Sequence, residues 1–332
     1  MQLDKIFSSN MVFPKGKEIC FYGTGKGNVK ITFDGEEKSV DFCGGEWEIC
    51  FSPRDFGGPY SAIIRMDNET VELQNIYVGL VFLMAGQSNM QFKLKESTEK
   101  HYISNPLVRL FSTDRIEDTD CFHSADGWVV CDEKTAGEWS AIAYYVGNMV
   151  SEKLNVAVGL ISCYQGASVI ESWLPEGTLE KNGIAVTDSG KHPDHFCDLY
   201  SAWNSDGTLY EKVFKQILPF SVSAVVWYQG ESDASDGEVP FYKDELKLLI
   251  DTWRKDLSDA SLPFVIVQIA EHSGKGESWR VIQKAQYEIQ HEVNDVKTVI
   301  SADVCEKDVI HPPTKDRLSK RIADALRGMI KI

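Results

Sequence analysis

No part of the sequence leaves the chain fewer options than the run Ile76-Tyr77-Val78-Gly79-Leu80-Val81-Phe82-Leu83-Met84-Ala85. It is too short to cross a bilayer and too continuously apolar for a half-exposed strand. It predicts a strand buried on both faces, as in a parallel sheet covered by helices. Gly86-Gln87-Ser88-Asn89-Met90 follows at once and delivers a serine at the strand's carboxyl end, the edge where open α/β sheets hold their ligands. Gly86 allows a sharp turn and a close approach there. Taken alone, Gln87-Ser88-Asn89 reads equally well as a helix N-cap, so a functional reading has to come from the rest of the chain.

Beyond residue 76 the rhythm is strand, then helix. Val156 to Ile161, Val222 to Tyr228, Phe264 to Ala270 and Thr298 to Ala302 are further strand candidates, with Leu107 to Phe111 a shorter one. Helical periodicity covers Ala141 to Leu154, Leu209 to Ile217, Phe241 to Trp253, Trp279 to Val293 and Thr314 to Ile330. This alternation predicts an α/β domain over 76–332, a doubly wound parallel sheet with helices on both faces. Pro175 to Asn204 shows no clean period and is expected to be a long loop walling the site.

Residues 1–75 read differently, as an all-β unit. Alternating segments at Glu18 to Tyr22, Val29 to Phe33, Lys38 to Phe42, Glu46 to Phe51 and Tyr60 to Met66 are separated by turn residues. Asp34-Gly35 and Gly44-Gly45 are expected to be hairpin turns, with Gly57-Gly58-Pro59 and Asp67-Asn68 as later turns. The prediction is a small β-sandwich domain preceding the α/β domain.

A formal charge of −16 over 332 residues excludes a basic footprint for nucleic acid or for an anionic membrane surface, and leaves neutral substrates open. The sequence shows no basic region followed by an apolar segment at its start, so a cytoplasmic protein is expected. Eight scattered cysteines lack the spacings zinc needs, and no metal or cofactor is expected. Reduced thiols are the expected state, with a single disulfide, such as one between Cys121 and Cys131, left open.

Four strand ends carry suggestive residues: Ser88; the stretch 162–173 with Gly166 and Trp173; Gln229-Gly230-Glu231-Ser232-Asp233; and Asp308-Val309-Ile310-His311 before the last helix. A serine hydroxyl needs a base to take its proton and a carboxylate to hold that base in the right tautomer. His311 supplies the base and Asp308 the orienter, three residues apart in one loop. A developing oxyanion needs fixed donors, for which the N–H groups of Ser88 and Gly166 and the side-chain amide of Gln229 are the candidates. Gln87, Asn89, Glu231 and Trp173 are assigned supporting or substrate-binding roles. Each piece has a plainer reading: Asp308 as a turn cap, Gly166 as a hinge, Trp173 as core. The other six histidines read as ordinary polar residues.

Taken together, Gly86-Gln87-Ser88-Asn89-Met90, Trp227-Tyr228-Gln229-Gly230-Glu231-Ser232-Asp233 and Asp308-x-x-His311-Pro312 resemble the blocks of the sialate O-acetylesterase-like family within the SGNH hydrolases. Similarity extends through Gly45-Glu46-Trp47, Gly57-Gly58-Pro59-Tyr60, Glu138 to Tyr145 and Thr252-Trp253-Arg254, and so over nearly the whole chain. The resemblance implies a metal-free serine esterase with Ser88 as nucleophile, Asp308 and His311 completing a triad, and Gly166 and Gln229 in the oxyanion hole. Tyr164-Gln165-Gly166 departs from the small-Gly-Gly sequence common in the family. The expected activity is removal of O-acetyl groups from a carbohydrate through an acetyl-serine intermediate. The alternatives are a lipase or thioesterase on longer acyl chains and a non-catalytic carbohydrate-binding protein. Neither the sugar nor the oligomeric state follows from the sequence.

Overall fold

A computed structural model describes residues 2–66, 69–99, 102–116, 127–184, 202–235, 237 and 239–330. Its first six strands are β1 (Gln2–Leu3), β2 (Val12–Pro14), β3 (Ile19–Phe33), β4 (Glu36–Phe51), β5 (Gly57–Met66) and β6 (Glu69–Gly86). The antiparallel pairs β3·β4, β3·β5 and β5·β6 build an N-terminal sheet. Asp34 and Gly35 turn the β3–β4 hairpin with φ of 49° and 82°, as a tight two-residue turn requires. Gly44-Gly45 is not a turn. β4 runs straight through it, with Gly45 opposite Gly25 beside a register shift between Gly25 and Gly27. Gly57-Gly58-Pro59 lies within β5, and Asp67-Asn68 falls outside the described residues.

The thiols of Cys20 and Cys50, directly opposite in the β3·β4 register, form a disulfide. That corrects the expectation of uniformly reduced cysteines. Cys131 is a free thiol that donates to the Ile103 carbonyl, and Cys121 lies outside the described residues.

β6 is 18 residues long and crosses the position expected to divide the two parts of the chain. Its first half pairs with β5. Its second half, Leu80–Gly86, is buried throughout and pairs in parallel with β9 (Val158–Tyr164) and β10 (Ala224–Tyr228). β7 (Asn105–Ser112), β11 (Phe264–Val267) and β12 (Val296–Val299) extend the parallel sheet to the order β7-β9-β6-β10-β11-β12. The short strand β8 (Val129–Cys131), which has no clear apolar pattern, pairs antiparallel to β7.

The result is a mixed α/β fold around one large sheet. Side chains alternate along each parallel strand, and each face is covered. Leu80, Phe82 and Met84 point to α2 (Ala141–Leu154) and α5 (Asp316–Met329), through Ile142, Val146, Leu318 and Ile322. Val81, Leu83 and Ala85 point to α3 (Tyr242–Asp256) and α4 (Gly276–Glu292), through Leu249, Trp253, Ile282 and Ile289. The second core also takes in Phe13, Phe21, Phe33 and Phe51 from the N-terminal strands, so one apolar cluster joins both parts. The predicted helix Leu209 to Ile217 is broken into Thr208–Lys212 and a 3-10 turn at Phe214–Ile217. Most of the long loop expected at Pro175 to Asn204 lies outside the described residues, and Thr178–Lys181 within it is a helical turn. No helix among the described residues is long and apolar enough to cross a membrane.

Gly86 closes β6 at φ 134°, and a Cβ there would sit 2.1 Å from the Tyr228 carbonyl oxygen. Gly86→Ala is therefore expected to lose at least about 1–3 kcal/mol of stability in urea unfolding, from backbone strain alone. Parental stability would mean that the turn relaxes freely.

Candidate active site

Gln87 takes extended geometry before α1 (Ser88–Gln91), a single helical turn that buries Asn89 and Met90 and leaves Ser88 half-exposed. Gln87 is itself buried. Its Oε1 accepts from the N–H of Gly230 at 3.1 Å and of Ser232 at 3.4 Å, which binds the end of β10 to the serine turn. The Gln165 N–H donates to the Gly86 carbonyl at 3.1 Å and holds the turn after β9 on the other side. Three neighbouring strand ends are thus stitched around Ser88.

His311 arrives from farther off. β12 is separated from β10 by β11, and the loop beyond it returns across the sheet edge to bring His311 Nε2 within 2.8 Å of Ser88 Oγ. That loop is staked at several points. Asp308 N–H donates to the Glu271 carbonyl, Thr314 N–H and Oγ1 donate to the Glu306 carboxylate, and Thr98 N–H donates to the Pro313 carbonyl. The outer edge of His311 is open to solvent, yet the protein around the ring lowers its pKa from 6.5 by desolvation. The Lys315 charge pushes the same way, and Glu96 opposes it.

Asp308 does not meet the imidazole. Its Oδ1 accepts from Ser273 N–H at 2.5 Å and Ser273 Oγ at 2.7 Å, and lies 4.0 Å from His272 Nδ1. These Ser273 hydrogen bonds hold the carboxyl below its usual pKa. Among the described residues no hydrogen bond joins it to His311. Spacing along the chain suggested a contact, but the left-handed backbone at Asp308, φ 61°, leaves the carboxylate with Ser273.

Of the three candidate oxyanion donors, two are not engaged elsewhere. The N–H groups of Ser88 and Gly166 meet no acceptor among the described residues, and a Cβ on Gly166 would lie 3.9 Å from that of Ser88. Gln229 is different. Its buried Nε2 donates to the Ser168 carbonyl at 2.9 Å and to Asp233 Oδ2, so the amide braces the loop beneath the site. Trp173 is also withdrawn. It is fully buried, edge-on to Trp227 at 5.8 Å and to Trp253 at 6.3 Å, and is core rather than a sugar platform. Trp203 is buried likewise.

Asn89 and Glu231 form a network with Lys315, a residue that the sequence did not single out. Asn89 Nδ2 donates to Glu231 Oε1 at 2.6 Å and to the Ile310 carbonyl at 2.8 Å, while its Oδ1 accepts from Lys315 Nζ at 2.7 Å. Burial raises the Glu231 pKa against the lowering effect of Asn89 and Lys315. Among the other histidines, His272 packs on Trp279 and His291 on Tyr287. His101, His123, His192 and His195 fall outside the described residues.

An open groove of about 480 Å³ lies over Ser88, lined by Phe92, Lys93, Glu96, Arg115, Gly166 and His311. A larger cavity of about 780 Å³, bordered by Leu3, Asp4, Phe7, Phe111 and Gln216, contains none of the candidate residues. The only cluster of metal-ligand atoms among the described residues, Glu18 with Cys20 and Cys50, has its sulfurs in the disulfide. A serine hydroxyl paired with an imidazole, with Gly166 close by, is an arrangement that suits acyl transfer.

Comparison with known proteins places the chain beside carbohydrate esterases. Residues 196–327 match the family model for carbohydrate esterases described as sialic acid-specific acetylesterase. The sialate O-acetylesterase of Homo sapiens is 24% identical over 360 residues, covering 95% of this chain and 68% of its own length. A probable carbohydrate esterase of Arabidopsis thaliana is 27% identical over 218 residues, covering 59% of this chain and 70% of its own. Among solved structures, a carbohydrate acetylesterase from Xanthomonas citri superposes with a TM-score of 0.87 at 22% identity, covering 99% of this chain and 75% of the other. The resemblance carried by the sequence blocks is thereby borne out.

Two outcomes are expected. Gln229→Leu should lower stability by about 1–3 kcal/mol, because it strands the Ser168 carbonyl and Asp233. A fall in kcat at unchanged melting temperature would instead restore Gln229 to the oxyanion hole. A base has to be unprotonated to act, and the His311 pKa is lowered, so kcat/KM should fall on the acid side with a midpoint below 6.5. A midpoint above that value would exclude His311 in this environment.

Proposed function

We propose that this chain, a carbohydrate O-acetylesterase of the sialate O-acetylesterase type, cleaves acetyl esters of a sugar through an acetyl-Ser88 intermediate. The observation that carries the proposal is the 2.8 Å contact between Ser88 Oγ and His311 Nε2 at the carboxyl edge of the parallel sheet. Ser88 Oγ attacks the acetyl carbonyl as its proton passes to His311 Nε2. The N–H groups of Ser88 and Gly166 receive the oxyanion, and the imidazolium returns the proton to the departing sugar oxygen. Water, deprotonated by the same imidazole, then releases acetate. A general base of this kind contributes roughly 10²- to 10⁴-fold.

Asp308 enters this scheme as the third member only if its carboxylate leaves Ser273 for the imidazole. In its present position the carboxylate is engaged by Ser273, and the acid that favours the imidazolium is Glu96. We infer further that residues 76–332 form a doubly wound domain of the SGNH type. The preceding strands, a small β-sandwich domain at 1–75 in this reading, serve as scaffold, consistent with the core they share with the sheet. The compartment we propose is the cytoplasm, and the Cys20–Cys50 bridge is the observation that weighs against it. The partner is an acetylated carbohydrate. Charged Lys93, Glu96 and Arg115 along the groove weigh against long acyl chains, and the paired Ser88 and His311 weigh against a protein that only binds.

The test is acetate release from acetylated sugars by the parent, Ser88→Ala, His311→Ala and Asp308→Asn chains. Ser88→Ala and His311→Ala are expected to lose at least about 10²-fold in kcat, and Asp308→Asn less than His311→Ala. Retained turnover in Ser88→Ala removes the mechanism, and a higher rate on octanoyl than on acetyl esters removes the substrate class.

A further inference from the structure

Four residues past His311, Lys315 sits at the start of α5 with no exposed surface. Its ammonium donates to Asn89 Oδ1 at 2.7 Å and lies over the rings of Phe92 and Tyr228, 4.9 and 5.5 Å from their centroids. No carboxylate lies within ion-pair distance of it among the described residues. A buried charge without a counter-ion in contact is costly. Burial accordingly pushes the Lys315 pKa down to about 8, against the opposing pull of Cys305, Glu231 and Glu306. Packing gives no reason to keep a lysine here, since an apolar side chain would fill the space between two aromatic rings.

The reason lies in what the ammonium does to Asn89. Ammonium offers only hydrogens, so it demands the amide oxygen and forbids the flipped orientation of the side chain. With Oδ1 fixed, both Nδ2 hydrogens face the other way, one to the Ile310 carbonyl and one to Glu231. Ile310 immediately precedes the base, and Asn89 immediately follows the nucleophile. One amide, oriented by one cation, therefore spans the two chain segments that have to meet at 2.8 Å. The same charge disfavours a second positive charge on His311, where the facing groups are Lys315 and Glu96.

We propose that Lys315 is a positioning residue: acting through Asn89 it locks the loop presenting His311 against the turn presenting Ser88, and its charge favours the unprotonated imidazole that accepts the serine proton. The inference rests on the reading of Ser88 and His311 as nucleophile and base.

The experiment compares the full-length parent, Lys315→Met and Lys315→Arg on 4-nitrophenyl acetate across pH, with thermal melts. Lys315→Met is expected to lose roughly 10- to 100-fold in kcat, the scale set by a small misplacement of reacting groups. KM should stay within about twofold. The acid limb should move to higher pH as the imidazole is freed from the neighbouring charge. The melting temperature should change little, because the lost hydrogen bond to Asn89 Oδ1 opposes the gain from removing a buried cation. Parental kcat, or an unmoved acid limb, overturns the proposal. A lowered melting temperature with an unmoved limb assigns the residue a merely structural part and overturns it as well. Should Lys315→Met fail to fold, Lys315→Arg decides. It keeps the charge and misdirects Asn89, so reduced kcat with an unmoved limb supports the proposal and parental kcat overturns it. Ser88→Ala, measured in parallel, separates the two levels. Turnover in that variant removes the nucleophile and the inference together, whereas its loss alongside a parental Lys315→Met removes the inference alone.

Discussion

A strand buried on both faces and paired in parallel on both edges can expose chemistry only at its ends. β6 meets that condition from Leu80 to Gly86, with β9 and β10 at its sides and a helical layer over each face. Hydrogen bonds from Gln87 N–H to the Tyr228 carbonyl and from Gln165 N–H to the Gly86 carbonyl then fix the turn to both neighbours. The position of Ser88 is consequently a property of three strands. It cannot shift without breaking pairing that has no water to replace it. The N-terminal strands contribute by extension of the same element, because the first half of β6 belongs to their sheet and its side chains to their core.

What was legible in the sequence follows from this. The strands β6, β9 and β10 announce themselves as short apolar runs because both of their faces are covered. Asp34-Gly35 announces a hairpin because its φ values suit few other residues. Gly44-Gly45 misled for a related reason. Gly25 and Gly45 face one another across β3 and β4, so the glycines mark an irregularity within paired strands rather than their end. Ser88 and His311 could be singled out because a serine at the end of a buried strand and a histidine in the loop before the last helix are residue types that acyl chemistry uses. Gln229, Trp173 and Asp308 could not be placed, since their partners Asp233, Trp253 and Ser273 decide their roles and only Asp233 is near in the chain. Lys315 gave no signal, for a lysine opening an amphipathic helix reads as solvent-exposed, and its burial follows only from the fold.

In the proposed mechanism, the separation of Asp308 from His311 changes how the base has to work. A carboxylate on the imidazole stabilises the imidazolium and selects a tautomer. Here the stabilising charge is held on Ser273, and the surroundings of the ring, desolvation together with Lys315, disfavour the imidazolium instead. The ground state is therefore well prepared to accept a proton, because the base is unprotonated wherever the pH exceeds its lowered pKa. The transition state is less well served, because the proton arrives on a ring that resists it. Glu96 is the group acting on the imidazole in the favourable direction, and it stands in the groove where a bound sugar would displace water. Excluding that water strengthens the attraction of Glu96 for the imidazolium and the repulsion from Lys315 alike.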